Sequence, residues 1–438
     1  MITSTAFAGK RYAVLGLARS GMAAVETLLA SGAQVTAWDR QDNARARLEG
    51  RAALADPLEI DLRGFDAIVV SPGVPLNTHP IVEKARAAGV ALIGDIELFA
   101  QARASLPPHK VVGITGTNGK STTTALIHHI LETAGVPTTM GGNIGLPILA
   151  EDPLPEGGVY GLELSSYQID LTFSLDCDVA VLLNVTPDHL DRYDSFEAYE
   201  FSKARLFAMQ SETSAAIISG DDLSVSRVTD IFDDGRLPLR ARTGFSMPAV
   251  ESLKPYLSSS LSGPHNATNA SNAMLVAEIL GVSEDTVLKA LGTFTGLPHR
   301  MEPIAEHNGV LFINDSKATN PASTAPALAA YPRVHWIVGG LPKGEDLDEC
   351  APHFGHVVAA YTIGEAGPHF ADILEPALHV ERCELMCEAV QRAMAAAKPG
   401  DVVLLSPACA SFDQFRDYEA RGDAFREIVA QLTGRVEA

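Results

Sequence analysis

The segment 110–124, KVVGITGTNGKSTTT, has the residue types that hold a polyphosphate. Its apolar start reads as a buried strand and its end as the opening of a helix. Between them, Gly116, Thr117, Asn118 and Gly119 form a turn whose main-chain N–H groups can face one point. A helix starting at Lys120 or Ser121 adds its N-terminal dipole to that point. Lys120 supplies a point charge for the β- and γ-phosphates, and Ser121 a hydroxyl for Mg²⁺. The strict phosphate-loop spacing would place glycine at 114, where Ile114 stands, so the loop is a variant with its first glycine at Gly113. A glycine turn with no ligand is the competing reading, and Gly-Lys-Ser at a strand-to-helix junction argues against it. Two further groups fit the same chemistry. Glu163 closes an apolar strand over 159–164, and His189 follows another over 179–185. A carboxylate and an imidazole beyond strand ends are natural Mg²⁺ ligands beside a triphosphate.

These residues need elements to place them, and the chain has room for about three domains of ~150 residues each. It holds 438 residues, 46% hydrophobic and 20% charged, with a net charge of −21. That acidity excludes a nucleic-acid partner and makes cations beside glycine turns informative. No apolar run approaches the ~18 residues of a membrane span. The five cysteines lack CxxC spacing and read as buried or incidental thiols of a reducing, cytoplasmic protein.

The first hundred residues begin as strand, glycine turn, helix and strand, with the turn Gly16-Leu-Ala-Arg-Ser-Gly21 and an acid, Asp39, at the second strand's end. The dinucleotide fingerprint wants glycine where Ala18 stands. A nicotinamide dinucleotide site, a nucleotide-sugar diphosphate site and tight helix–strand packing all remain open. After a helix over 195–209 and two more over 264–280 and 283–291, the last segment alternates strands (310–314, 334–339, 357–363, 401–405) with helical stretches. Their ends carry 314–320 (NDSKATN), 339–343 (GGLPK) and 406–413 (SPACASFD). Three polar strand ends on one edge argue for a site.

Read together, eight strings resemble the Mur ligase family, ATP-dependent enzymes that add amino acids to the peptidoglycan precursor. They are 116–121 (GTNGKS), 142–145 (GNIG), 163–166 (ELSS), 184–189 (NVTPDH), 265–269 (HNATN), 297–300 (LPHR), 314–320 (NDSKATN) and 405–411 (LSPACAS). They run through nearly the whole chain. The pairing of 314–320 with SPACASFDQF at 406–415 resembles the branch that adds D-glutamate, and the Asp-Asn-Pro-Arg string of diamino-acid-adding relatives is absent.

The resemblance implies an α/β protein of three domains, each a mainly parallel sheet with helices. Residues 1–98 would form a Rossmann-like UDP-sugar domain, 99–298 a phosphate-loop ATPase-like domain, and 299–438 a Rossmann-like amino-acid domain. It implies an acyl phosphate made from ATP on UDP-N-acetylmuramoyl-L-alanine, attacked by the amine of D-glutamate. Two Mg²⁺ ions, replaceable by Mn²⁺, would be held by Ser121, Glu163, His189 and Lys203, the last as a carbamate formed with CO₂. Catalysis would rest on Lys120, His189, Lys203 and Lys317. Besides 116–121, Thr122, Asn269, Arg300 and Asp315 would meet ATP. Arg19, Ser20, Asp39, Gly73 and Asn143 would meet the UDP-substrate, and Thr319, Lys343, Ser411, Phe412 and Tyr418 would meet D-glutamate. Arg40 follows Asp39 directly, where the family pattern has one residue between acid and arginine, and Tyr418 stands where phenylalanine is expected. A folylpolyglutamate-type ligase and, from another class, a nicotinamide-dependent oxidoreductase are the alternatives. Only small-molecule partners, no membrane partner and a monomer are expected.

Overall fold

Short apolar runs broken by glycine turns and amphipathic stretches make strands and helices alternate, and three mainly parallel sheets result. The computed structural model describes residues 1–189, 191–219, 222–243, 250–261, 263–342, 344 and 346–434. The first sheet contains β1 (Arg11–Leu15), β2 (Gln34–Trp38), β3 (Ala53–Leu54), β4 (Ala67–Val70) and β5 (Ala91–Ile93), in the order β3-β2-β1-β4-β5. All its pairs are parallel. Both faces are covered: Tyr12 and Val14 of β1 point into one apolar cluster, Ala13 and Leu15 into another.

The second sheet contains β6 (His109–Thr115), β7 (Thr138–Gly142), β8 (Gly158–Glu163), β9 (Val179–Leu182) and β10 (Ala215–Ile218), in the order β10-β9-β6-β8-β7. It too is parallel throughout. Because β6 lies between β8 and β9, the chain after each of these three strands leaves from one edge, where sheet order reverses. That arrangement gathers the phosphate loop, Glu163 and the 183–189 segment.

The third sheet contains β11 (Glu302–His307), β12 (Val310–Asn314), β13 (Val334–Gly339), β14 (Val357–Ile363), β15 (Val380–Glu384) and β16 (Val402–Leu405). Its order is β11-β12-β16-β13-β14-β15, and only the β11–β12 pair is antiparallel. The chain is thus a three-domain α/β protein. β3, β7, β10, β11 and β15 have no counterpart among the strands expected from sequence. The expected strand over 179–185 ends at Leu182, because the backbone beyond it turns onto the phosphate loop.

By compactness the chain forms two units, Met1–Leu253 with Asn269–Leu291, and Lys254–Thr268 with Gly292–Ala438. Within the first unit, the first and second sheets' layers are sewn together. Gly94 N–H donates to Leu171 O at 2.9 Å, and Thr27 Oγ1 to Leu149 O at 3.2 Å. Glu97, buried in the helix Asp95–Ala102, accepts from Phe173 N, Ser174 N and Ser174 Oγ at 2.7–2.9 Å. None of the described helices is long and apolar enough to cross a membrane.

Candidate active site

The phosphate loop is built on two left-handed glycines. Gly116 has φ 150° and Gly119 φ 83°, conformations that a Cβ would strain. A side chain at 119 would also lie 2.5 Å from Asn269 Oδ1, so Asn269 packs directly on the turn. Gly119 caps the helix Lys120–Thr133, in whose first turn Ser121 is buried and Thr122 half-buried. Asn184, just beyond β9, braces the loop. Its Nδ2 donates to Asn118 O at 3.0 Å, its Oδ1 accepts from Asn118 N at 2.9 Å, and its carbonyl accepts from Thr117 N at 3.0 Å. Thr117 Oγ1 accepts from Thr186 N at 3.0 Å and lies 3.3 Å from Tyr199 OH.

Lys120 Nζ donates to Gly116 O at 2.9 Å and Thr117 O at 2.7 Å, folding its charge over the loop. Ser121 Oγ donates to Glu163 Oε2, while Asn143 Nδ2 holds Glu163 Oε1 at 2.8 Å. The sequence-predicted metal residues Ser121 and Glu163 are therefore in direct contact, with Asn143 orienting the carboxylate. Among the described residues no cluster of three His, Cys, Asp or Glu side chains is placed to hold an ion by itself. The donor set at Ser121 and Glu163 is nevertheless oxygen-rich and anionic, which suits Mg²⁺ completed by phosphate oxygens and water.

Lys203 lies in the helix Phe196–Ala208 and is 1% exposed. Its Nζ donates to Gly116 O at 2.9 Å and sits 4.5 Å from the centre of the Tyr199 ring. Burial, with the Lys120 charge second, holds its ammonium well below the usual lysine range. His189 takes a left-handed backbone, φ 57°, beside Asp188. Its ring lies 5.0 Å from Tyr167 and 5.9 Å from Tyr199, so Tyr199 connects it to the loop through Thr117.

In the same unit, Gly16, Trp38, Asp39, Arg40, Gly73 and His79 line a cavity of about 430 Å³ at the edge of the first sheet. The Asp39 carboxylate accepts from Leu17 N at 2.6 Å and Gln41 N at 2.9 Å, fixing the turn that forms the cavity wall. A Cβ at Gly21 would lie 1.8 Å from Gly16 O, so tight helix–strand packing is one role of this motif. Arg19 and Ser20 occupy the first turn of the helix Arg19–Ala30. Arg19 reaches across to Gly145 O, next to the turn carrying Asn143.

In the second unit, Asp315 follows β12 and accepts from Ser406 Oγ at 2.7 Å and Met301 N at 3.1 Å, beside Arg300. Burial pushes its carboxyl up to about 7. Lys317 Nζ stands 3.8 Å over the Tyr418 ring. Thr319 is half-buried, Ser411 is buried, and Phe412 is exposed. Lys343 lies outside the described residues. Two positioning residues escaped the sequence reading of roles. Asn184 lay within a quoted string. Arg421 is 1% exposed in the helix Tyr418–Thr433, and no motif marks it. It donates to Ser316 O, Cys409 O and Ala410 O at 2.7–3.1 Å, tying the segment of Lys317 to that of Ser411.

Three family models match the chain in order: a Mur ligase MurD-like N-terminal domain over 10–94, a Mur ligase middle domain over 114–239, and a Mur ligase glutamate ligase domain over 299–409. The chain belongs to the Mur ligase family. A UDP-N-acetylmuramoylalanine–D-glutamate ligase of Novosphingobium aromaticivorans is 65% identical, over 100% of this chain and 98% of that one. A protein of the same name from Sphingopyxis alaskensis is 59% identical, over 99% and 100%. Among solved structures, MurF ligase from Thermotoga maritima in complex with ADP superposes with a TM-score of 0.60 at 17% identity, covering 97% and 96% of the two chains. That likeness shows the Mur ligase fold.

Proposed function

We propose that the chain is an ATP-dependent ligase that joins D-glutamate to UDP-N-acetylmuramoyl-L-alanine in the cytoplasmic stage of peptidoglycan precursor synthesis. The observation that carries this reading is its end-to-end match to relatives named for that reaction, at 55–65% identity. A phosphate loop in which Lys120, Ser121 and Glu163 converge supports it. A carboxylate is a poor electrophile, and transfer of the γ-phosphoryl group to it creates a leaving group. Attack by the amine of D-glutamate on the carbonyl carbon then gives a tetrahedral intermediate, which collapses to the amide and phosphate. Lys120 swings from the Gly116 and Thr117 carbonyls to the β- and γ-phosphates and neutralises charge as it builds. The loop N–H groups and the start of the helix Lys120–Thr133 hold the remaining phosphate oxygens, and Asn184 keeps the loop in that shape.

Ser121 and Glu163 hold one Mg²⁺, and His189 with a carbamylated Lys203 a second; such ions supply charge neutralisation and orientation of the phosphoryl oxygens. The depressed basicity of Lys203 supports the carbamate. A neutral amine attacks CO₂, forming a C–N bond and losing one proton, and burial keeps a fraction of this lysine neutral. Arg19, Ser20, Asp39, Gly73 and Asn143 take the UDP-substrate, Asn269, Arg300 and Asp315 the nucleotide. Lys317, Thr319, Lys343, Ser411, Phe412 and Tyr418 take D-glutamate.

The test measures phosphate release with UDP-N-acetylmuramoyl-L-alanine and D-glutamate, L-glutamate, L-lysine or meso-diaminopimelate in turn. D-glutamate is expected to give the highest kcat/KM. A better rate with L-glutamate or a diamino acid overturns the substrate assignment. No release with any of them overturns the ligase reading.

A further inference from the structure

We propose that Arg192 is a positioning residue that couples occupancy of the nucleotide-sugar cavity to the placement of His189; the proposal rests on the preceding reading of those two sites. The cavity at the edge of the first sheet is walled in part by Gly73, Val74 and Pro75. From the other side of that wall, Arg192 Nη2 donates to Val74 O at 2.9 Å. The neighbouring Asp191 carbonyl accepts from Asn77 Nδ2, also at 2.9 Å. The segment that carries His189 is thus fastened twice to the segment that contacts the nucleotide-sugar.

The Arg192 guanidinium continues inward. Its Cζ lies 4.3 Å from the centre of the Tyr167 ring, and the centre of that ring stands 5.0 Å from that of the His189 imidazole. Tyr193 also stacks with Tyr167, with ring planes 15° apart, and its hydroxyl is anchored on Asp170 at 2.8 Å. Tyr167 therefore cannot shift independently of its neighbours. Around Arg192 the two domains leave a cavity of about 550 Å³, lined by Val74, Leu76, Val90, Leu171 and Phe173 among others. Side-chain packing does not fill this gap, so the polar strut sets the spacing between the Val74 wall and the His189 segment. A ligand that pushes on or immobilises Val74 changes where Arg192 sits, and the stacked rings pass the change to His189. Chains of packed side chains and hydrogen bonds of this kind can carry coupling between two sites.

The experiment uses the full-length protein, an ATP analogue that is not hydrolysed, and Mn²⁺, whose free concentration is read by electron paramagnetic resonance. The Kd of Mn²⁺ is measured without and with saturating UDP-N-acetylmuramoyl-L-alanine. Couplings between sites commonly amount to at least about 5-fold in affinity, and that tightening is expected in the unaltered protein. In Arg192→Met the ratio should fall to within about 2-fold of unity, while the Kd of the UDP-substrate measured alone stays within about 3-fold, a pattern that general loosening would not give. Tyr167→Leu breaks the relay at its middle and should behave alike; it carries the test if Arg192→Met does not fold. Arg192→Lys keeps the charge without the guanidinium that spans Val74 O and the Tyr167 ring, and should also lose the coupling. Retention of the full ratio in either folded relay variant overturns the proposal. So does an unaltered protein that binds both ligands with no coupling, and in that case the ligase reading stands. Failure of the unaltered protein to bind the UDP-substrate at all overturns both.

Discussion

Asn184→Ala tests whether the phosphate loop is held ready before nucleotide arrives. The substitution removes the Nδ2–Asn118 O bond of 3.0 Å and the Asn118 N–Oδ1 bond of 2.9 Å, and leaves the backbone contact with Thr117 in place. Net contributions of roughly 0.5–1.5 kcal/mol per hydrogen bond give about 1–3 kcal/mol for the pair. Asn118 is half-buried, so both bonds can be exchanged for water in the free protein. The loss then appears mainly as a loop that samples other shapes and must be reordered by the nucleotide. Apparent affinity falls by the fraction of molecules in the competent shape, which for about 1–3 kcal/mol is roughly 5- to 150-fold. The assay is KM for ATP with the other two substrates saturating, with thermal unfolding as the control for the fold. A KM within about 2-fold of the unaltered protein, in a variant with an unchanged unfolding profile, would refute the reasoning.

Three other outcomes follow from single contacts. Lys203→Ala should lose more than about 100-fold in kcat, the range of losses for electrostatic groups in a site, and adding bicarbonate should not restore it; full activity removes Lys203 from the machinery. Asp315 has a folded pKa near 7, raised by burial above 3.8. The folded state therefore binds more protons than the unfolded one between those values. Its contribution to stability is complete below about pH 4 and is lost as pH rises toward 7, so Asp315→Asn should flatten that part of the stability–pH curve measured in urea; an unchanged slope contradicts the assignment. Arg421→Met should destabilise the second unit by at least about 2 kcal/mol, because three carbonyls lose a charged donor in the interior, and a urea midpoint equal to that of the unaltered protein would remove this role.

Much of the second sheet was legible because its central strands are continuous apolar runs that end in chemistry. β6 into Gly119-Lys120-Ser121 and β8 into Glu163 needed no tertiary information. β7 escaped because it ends in Gly141 and Gly142, residues that a sequence offers as readily to a turn as to a strand. The structure has them in the edge strand, where a Cβ at 142 would lie 2.2 Å from Glu163 O. Glycine there serves close approach of two backbones, and sequence cannot distinguish that from a tight turn. β11 escaped for a different reason: Glu302-Pro-Ile-Ala-Glu-His307 has a proline and a register shift after it, and its pairing is decided by β12 rather than by its own pattern. Lys203 shows the limit at the site. Its side chain is an ordinary helical lysine in one dimension and a fully buried amine in three. Arg421 is similar, since a single arginine on a helix usually faces water.

The carbonyl of Gly116 accepts from both Lys120 and Lys203, each at 2.9 Å. It acts as a junction with two inputs. Drawing Lys120 away to a triphosphate leaves Lys203 as its lysine donor. The two lysines thus share one acceptor at the loop, and movement of either changes the surroundings of the other.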